Sequence, residues 1–374
     1  MVSKACVVGT YQTKLEALAR QPDVTLAAVV PPSWRDERGE LALVRAHTEG
    51  YDLVETPIVF NGHFHLHFYP RLGPLVRRFR PDILHIDEEP YNLATFQAMW
   101  LARRAGARAV FFTWQNLHRR YPPPFCWMER YNLRRADYAL AGNREAKVVL
   151  RAKGFTGPVA VVPQFGVDPT AFCPTEESRS AGDAAAFAIG YAGRLVEEKG
   201  VETLLRAASG LPAERCWRLY LVGSGPLEGH LRRLAAELDI GGHLRFEGQV
   251  PSTEMPARLR ALDVLVLPSL TRPNWKEQFG RVLVEAMACG VPVIGSDCGE
   301  IPHVVGEAGL IFPEGDAKVL RDHLARLMVD ASLCAELAAQ GRARVLAHYT
   351  QAQVAKATYA VYQQMLAPCH VASW

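Results

Sequence analysis

The chain has 374 residues, 49% hydrophobic and 22% charged, with a formal net charge of +3. Such a composition excludes a disordered or fibrous chain, and no apolar run approaches the roughly 18 residues a bilayer span requires. The length favours two domains, each large enough to bury its own core.

The small net charge conceals an asymmetry. Residues 1–170 hold 22 Lys and Arg against 16 Asp and Glu, and the remainder holds 20 against 23. Much of the excess lies in Arg71, Arg77, Arg78, Arg80, Arg103, Arg104, Arg108, Arg119, Arg120, Arg134 and Arg135. This basic half suits an anionic acceptor or weak peripheral contact with an anionic membrane, or it is a solvated exterior. Eight cysteines are scattered without a C-x-x-C pair, several of them in apolar runs, and we read them as reduced thiols. With no secretory leader ahead of the first strand, a cytoplasmic protein is expected, on the inner face of a membrane if it meets one.

Residues 5–9 read as a first buried strand and 14–20 as its helix. The loop between them leaves the strand's carboxyl end, where doubly wound sheets bind ligands, so Thr10, Tyr11 and Lys14 are candidate acceptor contacts. It has no G-x-G-x-x-G, which argues against a dinucleotide cofactor. A second strand spans 24–30, followed by a polar loop over 31–39. His63, His65 and His67 alternate; extended, they would share one face and could hold zinc, but without a nearby carboxylate or cysteine a polar loop is the preferred reading.

A strand over 80–87 ends at His85 and Asp87. Glu88 and Glu89 then open a helix running through Gly106, where they either complement its dipole or bind acceptor hydroxyls. A strand over 108–116, with Gln115 near its end, empties into a polar loop over 117–125, a last strand covers 136–143, and a helix covers 145–153. Residues 178–186, small and polar, read as a flexible connector.

In the second half, a strand over 187–193 leads to Arg194 and Lys199. A planar cationic fork and a point charge close together suit a diphosphate. Another strand, 217–223, runs into a tight glycine loop at Gly223, and 244–251 supplies a short strand and loop with Val250. An apolar strand then precedes the stretch 275–294. Glu277 falls in the loop and Glu285 inside the following helix, which Phe279 and Gly280 open and Cys289-Gly290 close. At 1.5 Å rise per residue this spacing spans at most roughly 12 Å, about the reach from the sugar to the ribose of a nucleotide-sugar. Two amphipathic helices finish the chain.

The stretch 275–294 resembles the Glu-x7-Glu motif of retaining glycosyltransferase family 4, and the segment 193–200 resembles the family's Gly-Arg-Leu-x-x-x-Lys-Gly. The likeness covers nearly the whole chain, densely in the second half and loosely in the first. It implies the GT-B architecture, two Rossmann-like α/β domains with doubly wound parallel sheets facing across a cleft. The expected divisions are an acceptor-binding domain over 1–165, a nucleotide-sugar domain over 187–348, and a segment over 349–374 crossing back to the first.

By the same resemblance Glu277 contacts the donor sugar, Glu285 the ribose, and Arg194 and Lys199 stabilise the leaving diphosphate. Gly193, Gly223, Val250, Phe279, Gly280 and Val282 complete the donor site, while Tyr11, His85, Asp87, Glu88 and Gln115 face the acceptor or cleft. Gln115 stands where many relatives have a histidine, and Gln278 where the family often has proline.

The implied activity is transfer of a hexose, with retention, from a UDP- or GDP-type sugar to the hydroxyl of a glycan, lipid or small molecule. It would proceed by front-face attack, without cofactor, metal or nucleic acid, since no D-x-D motif is present. The alternatives are a sugar-nucleotide epimerase of related fold and a non-catalytic sugar-nucleotide binding protein.

Overall fold

A computed structural model describes residues 1–36, 39–175, 186–212 and 214–367, so the expected connector, apart from Ala186, lies outside the described residues. The chain forms two compact units: Met1–Gly166 together with the segment from Gln351 onward, and Val167–Thr350.

In the first unit the elements in chain order are α1 (Thr13–Ala19), β1 (Ala27–Val30), the hairpin β2 (Ser33–Asp36) and β3 (Gly39–Ala42), β4 (Asp52–Glu55), α2 (Leu72–Phe79), β5 (Ile83–Ile86), α3 (Leu93–Ala105), β6 (Arg108–Thr113), α4 (Phe125–Arg135), β7 (Tyr138–Ala141), α5 (Arg144–Ala152) and β8 (Val159–Val161). β1 pairs with β4, and β5 through β8 pair in sequence, all parallel. Val2 joins the two groups, forming parallel bridges to both Val29 and Ile86.

The strand expected over 5–9 is therefore displaced. Val2 takes the central strand position, Ser3 and Lys4 turn toward Asp87 and Glu88, and Ala5–Val7 close a 3-10 turn. The helix expected from Glu88 begins instead at Leu93. Side chains and backbone from elsewhere in the sheet bond both Glu88 and Glu89, which holds this segment in a loop.

The second unit contains β9 (Phe187–Ala192), α6 (Val201–Ser209), β10 (Trp217–Val222), α7 (Glu228–Glu237), β11 (Leu244–Gly248), α8 (Met255–Arg260), β12 (Val264–Leu267), α9 (Arg281–Ala288), β13 (Val293–Ser296), α10 (Ile301–Val305), β14 (Leu310–Phe312), α11 (Ala317–Val329) and α12 (Ala331–His348). Its strands are parallel in the order β11-β10-β9-β12-β13-β14. Fully apolar strands such as β12 are what a sheet covered on both faces requires. The expected pair of Rossmann-like parallel α/β units is present. The last helix, α13 (Gln351–Leu366), packs on α1 within the first unit, with Val354, Ala355, Val361 and Met365 buried.

In both sheets the strand order reverses at one point, between Val2 and β5 in the first unit and between β9 and β12 in the second. Crevices form at the carboxyl ends of strands at such points. A cavity of 590 Å³ in the first unit lies at the other end, by the starts of β1 and β5.

Around the second unit's reversal the backbone is tightly drawn in. Gly223 has φ +131°, and a Cβ there would lie 1.9 Å from the Gly193 carbonyl oxygen. Gly193 N–H donates to Val222 O and Gly223 N–H to Gly248 O, at 2.9 and 2.7 Å. Gly223→Ala is expected to lower the unfolding free energy by about 3 kcal/mol, measured by urea denaturation; a loss below about 1 kcal/mol would contradict this packing.

Candidate functional site

At the reversal of the second sheet, the loop after β9 carries Arg194 and Lys199, and the loop after β12 carries Ser269 and Glu277. Gly200, with φ +62°, lets the loops touch, since a Cβ there would lie 2.0 Å from Pro268 O. Leu270 N–H donates to Glu198 O at 2.8 Å. This contact brings the chemistry together. Glu277 is buried, and its Oε2 accepts from Lys199 Nζ at 2.6 Å and from Ser269 Oγ at 2.9 Å. Lys199 Nζ also lies 4.7 Å from the centre of the Trp275 ring.

The supporting shell is equally close. Ser296 Oγ donates to Ser269 O at 2.6 Å, and the Glu277 carbonyl accepts from Glu300 N–H at 3.1 Å. Gly299, with φ +56°, allows the Glu277 backbone to approach. Arg194 is exposed, and its carbonyl accepts from the buried Tyr191 hydroxyl at 2.6 Å. The sequence reading missed Ser269; its only signal was a small polar residue straight after an apolar strand.

Gly280, in the left-handed conformation at φ 71°, caps the start of α9, and Phe279 beside it packs edge-on against Tyr349 at 5.7 Å. Glu285, in the second turn, accepts from Arg281 Nε at 2.8 Å, and burial pushes its carboxyl above the ordinary range. Val282 on the same helix and Val250 beyond β11 are half-buried.

At the reversal of the first sheet the arrangement is similar. Lys4 pairs with buried Glu88, whose other oxygen lies 3.6 Å from His67 Nε2. Ser3 Oγ donates to Asp87 at 2.7 Å. Glu89 accepts from Thr113 Oγ1 at 2.6 Å and from Trp114 N–H at 2.8 Å. His85 lies deeper, its Nδ1 2.6 Å from Tyr362 OH, and burial holds its imidazole well below the usual range. Gln115 donates to Tyr121 OH at 3.1 Å, and Tyr11 stands apart, stacked on Phe165 at 4.1 Å.

The three alternating histidines do not share a face, because the segment coils and His67 N–H donates to His63 O. His67 is buried, His65 packs among Tyr91, Tyr121 and Phe125, and His63 is exposed. Among the described residues no cluster of three His, Cys, Asp or Glu side chains is arranged to hold a metal, every cysteine is free, and no helix is long and apolar enough to cross a membrane.

The neighbouring carboxyls Glu88 and Glu89 are driven apart. Burial opposes the charge on Glu88, but Lys4 and His67 outweigh it and hold the carboxyl at about 2. Burial dominates at Glu89 and raises it to about 7 despite two donors. Folded Glu89 thus keeps its proton to about pH 7, whereas an ordinary carboxyl releases it near 4.5. Between those values the folded state binds more protons, so stability falls as pH rises, by on the order of 3 kcal/mol. The Glu88 contribution changes only below 4.5. Glu89→Gln is expected to flatten the fall between pH 4.5 and 7 in urea titrations; an unchanged slope would contradict the assignment.

Compared with known proteins, the chain matches "Glycosyl transferases group 1" over residues 176–344 and "Glycosyl transferase 4-like domain" over 9–164. It is 37% identical over 161 residues to a GDP-mannose-dependent monoacylated alpha-(1-6)-phosphatidylinositol monomannoside mannosyltransferase of Corynebacterium glutamicum; the match covers 42% of each chain, less than two thirds of that relative's length. It is 31% identical to the lipopolysaccharide core biosynthesis mannosyltransferase LpsB of Rhizobium meliloti, over 60% of this chain and 67% of the other. Among solved structures it resembles a glycosyltransferase from Rickettsia africae, with TM-score 0.74 and 16% identity over 98% of this chain and 97% of that one.

Proposed function

The chain belongs to the glycosyl transferases group 1 family, of family 4 type and GT-B architecture, and from that premise we propose that it moves a hexose, with retention, from a nucleotide diphosphate sugar to an acceptor hydroxyl. The observation that carries the reading is the buried Glu277 carboxylate, held by Lys199 and Ser269 in the second sheet's crevice beside the Arg194 loop. A lysine already within reach of a carboxylate can turn to a diphosphate, because the diphosphate carries more negative charge and more acceptor oxygens than one carboxylate does.

In this reading Arg194 and Lys199 neutralise the diphosphate as the bond from its oxygen to the anomeric carbon breaks. Glu277 orients the sugar, with Phe279 and Gly280 at the helix start, and Glu285 takes the ribose. Gly193, Gly223, Val250 and Val282 line the nucleotide. The acceptor hydroxyl bonds the anomeric carbon on the face the diphosphate leaves, and a phosphate oxygen receives its proton. No side-chain nucleophile and no divalent metal is required.

The first unit would hold the acceptor near Glu88, Asp87 and Gln115. The GDP-mannose-dependent phosphatidylinositol monomannoside mannosyltransferase and the lipopolysaccharide core mannosyltransferase that the chain resembles support GDP-mannose as donor and a lipid-linked or glycan acceptor.

Nucleoside diphosphate release should depend on both a sugar donor and an acceptor, and persist in chelator. Lys199→Ala is expected to lower it by at least about a hundredfold while the protein stays folded by circular dichroism. Near wild-type turnover in that variant would contradict the role of Lys199. Donor turnover without acceptor would indicate an epimerase, and binding without turnover a non-catalytic protein.

A further inference from the structure

The transfer reading gives roles to both partners of the Lys199–Glu277 pair but none to the ring beside them. Trp275 lies in the loop between β12 and α9, half-buried, with Lys199 Nζ 4.7 Å from its ring centre. Its backbone is fixed in a tight turn: Arg272 N–H donates to Trp275 O at 2.8 Å, and Trp275 N–H to Arg272 O at 3.1 Å. Two ties anchor that turn. Thr271 Oγ1 donates to Glu314, just beyond β14, at 2.5 Å. The Arg272 guanidinium lies 3.9 Å from Glu197, which opens the 3-10 turn Glu197–Lys199. The indole is thus held to the segment that carries the lysine and to the neighbouring strand end.

To serve a departing diphosphate, Lys199 has to change partners. Its ammonium is bonded to Glu277 at 2.6 Å, and the two side chains are only 20% and 10% exposed. Opening such a pair leaves both charges poorly solvated, at a cost that grows with burial. A contact that persists through the exchange lowers that cost. For the carboxylate this contact is Ser269 Oγ, at 2.9 Å. For the ammonium it is the indole, whose ring quadrupole attracts a cation. A second carboxylate in its place would compete with the diphosphate for the lysine, and an aliphatic side chain would exclude water without attracting the charge. The ring does neither.

We infer that Trp275 is a positioning residue for the donor: its indole holds the Lys199 ammonium while that group passes from Glu277 to the diphosphate of the nucleotide-sugar. The inference deepens the transfer reading and rests on it for the identity of the anion. Its test reads binding rather than turnover.

The test is calorimetric titration of the full chain with GDP, UDP and ADP, comparing Trp275→Leu, which keeps apolar bulk without an aromatic face, with Trp275→Phe, which keeps the face. For whichever nucleotide binds, Trp275→Leu is expected to weaken Kd by at least about fivefold, and Trp275→Phe to recover most of that loss. In a Lys199→Ala background the change to Leu should alter Kd by less than about twofold, because the ring then has no ammonium to hold. Thermal midpoints without nucleotide report whether each variant is folded; if the Leu variant is not, Trp275→Met supplies the same comparison. Wild-type affinity in the folded Leu or Met variant would overturn the inference. So would a Phe variant as weak as the Leu one, or an equal loss in the Lys199→Ala background, which would mean that the ring touches the nucleotide itself or only supports the fold. Failure of the wild-type chain to bind any of the three nucleotides would instead sink the transfer reading, and this inference with it.

Discussion

Lys199 and Glu277 are 78 residues apart in sequence, and their ion pair exists because β9 and β12 are neighbours in the sheet. A buried pair of this kind is poor evidence of stabilisation, since removing both charges from water costs as much as their attraction returns. Its value is geometric. The carboxylate is held from two sides, the lysine lies along an indole face, and the two loops meet only because Gly200 has no side chain to separate them.

The first unit repeats this plan with different surroundings. Lys4 follows the central strand and pairs with Glu88 after β5, as Lys199 follows β9 and pairs with Glu277 beyond β12. Around Lys4 the rings of Phe64 and Trp34 lie 4.6 and 5.3 Å away, and Glu88 is buried completely. The adjacent Glu89 lacks a cation and keeps its proton to near neutrality. Two consecutive glutamates thus carry opposite electrostatic characters, set by which one a lysine reaches.

Charge is also divided between the ends of the first sheet. The carboxyl ends of its strands gather three buried carboxyl groups, of which Glu88 is paired with a lysine, and the amino ends gather exposed arginines on three helices that carry no exposed acid. Parallel pairing makes this separation possible, because every helix that links two parallel strands delivers its last turn to the edge where the next strand starts.

The strand and helix alternation, the glycine loops and the Glu277 to Glu285 spacing were legible in the sequence, because apolar runs and turn residues act locally and the motif lies within one loop and helix. Where the first strand lies was not: the apolar run over 5–9 has the composition of a strand, yet Val2 holds that position because it fits between Val29 and Ile86. The helical start at Glu88 failed for a related reason. An acidic first turn is a local preference, whereas Lys4 and the end of β6 bind those carboxylates from elsewhere in the chain. The sequence by itself determined which residues are chemically capable; the tertiary structure decided which of them meet, because Ser269, Lys199 and Glu277 become neighbours only through strand order, which no local pattern encodes.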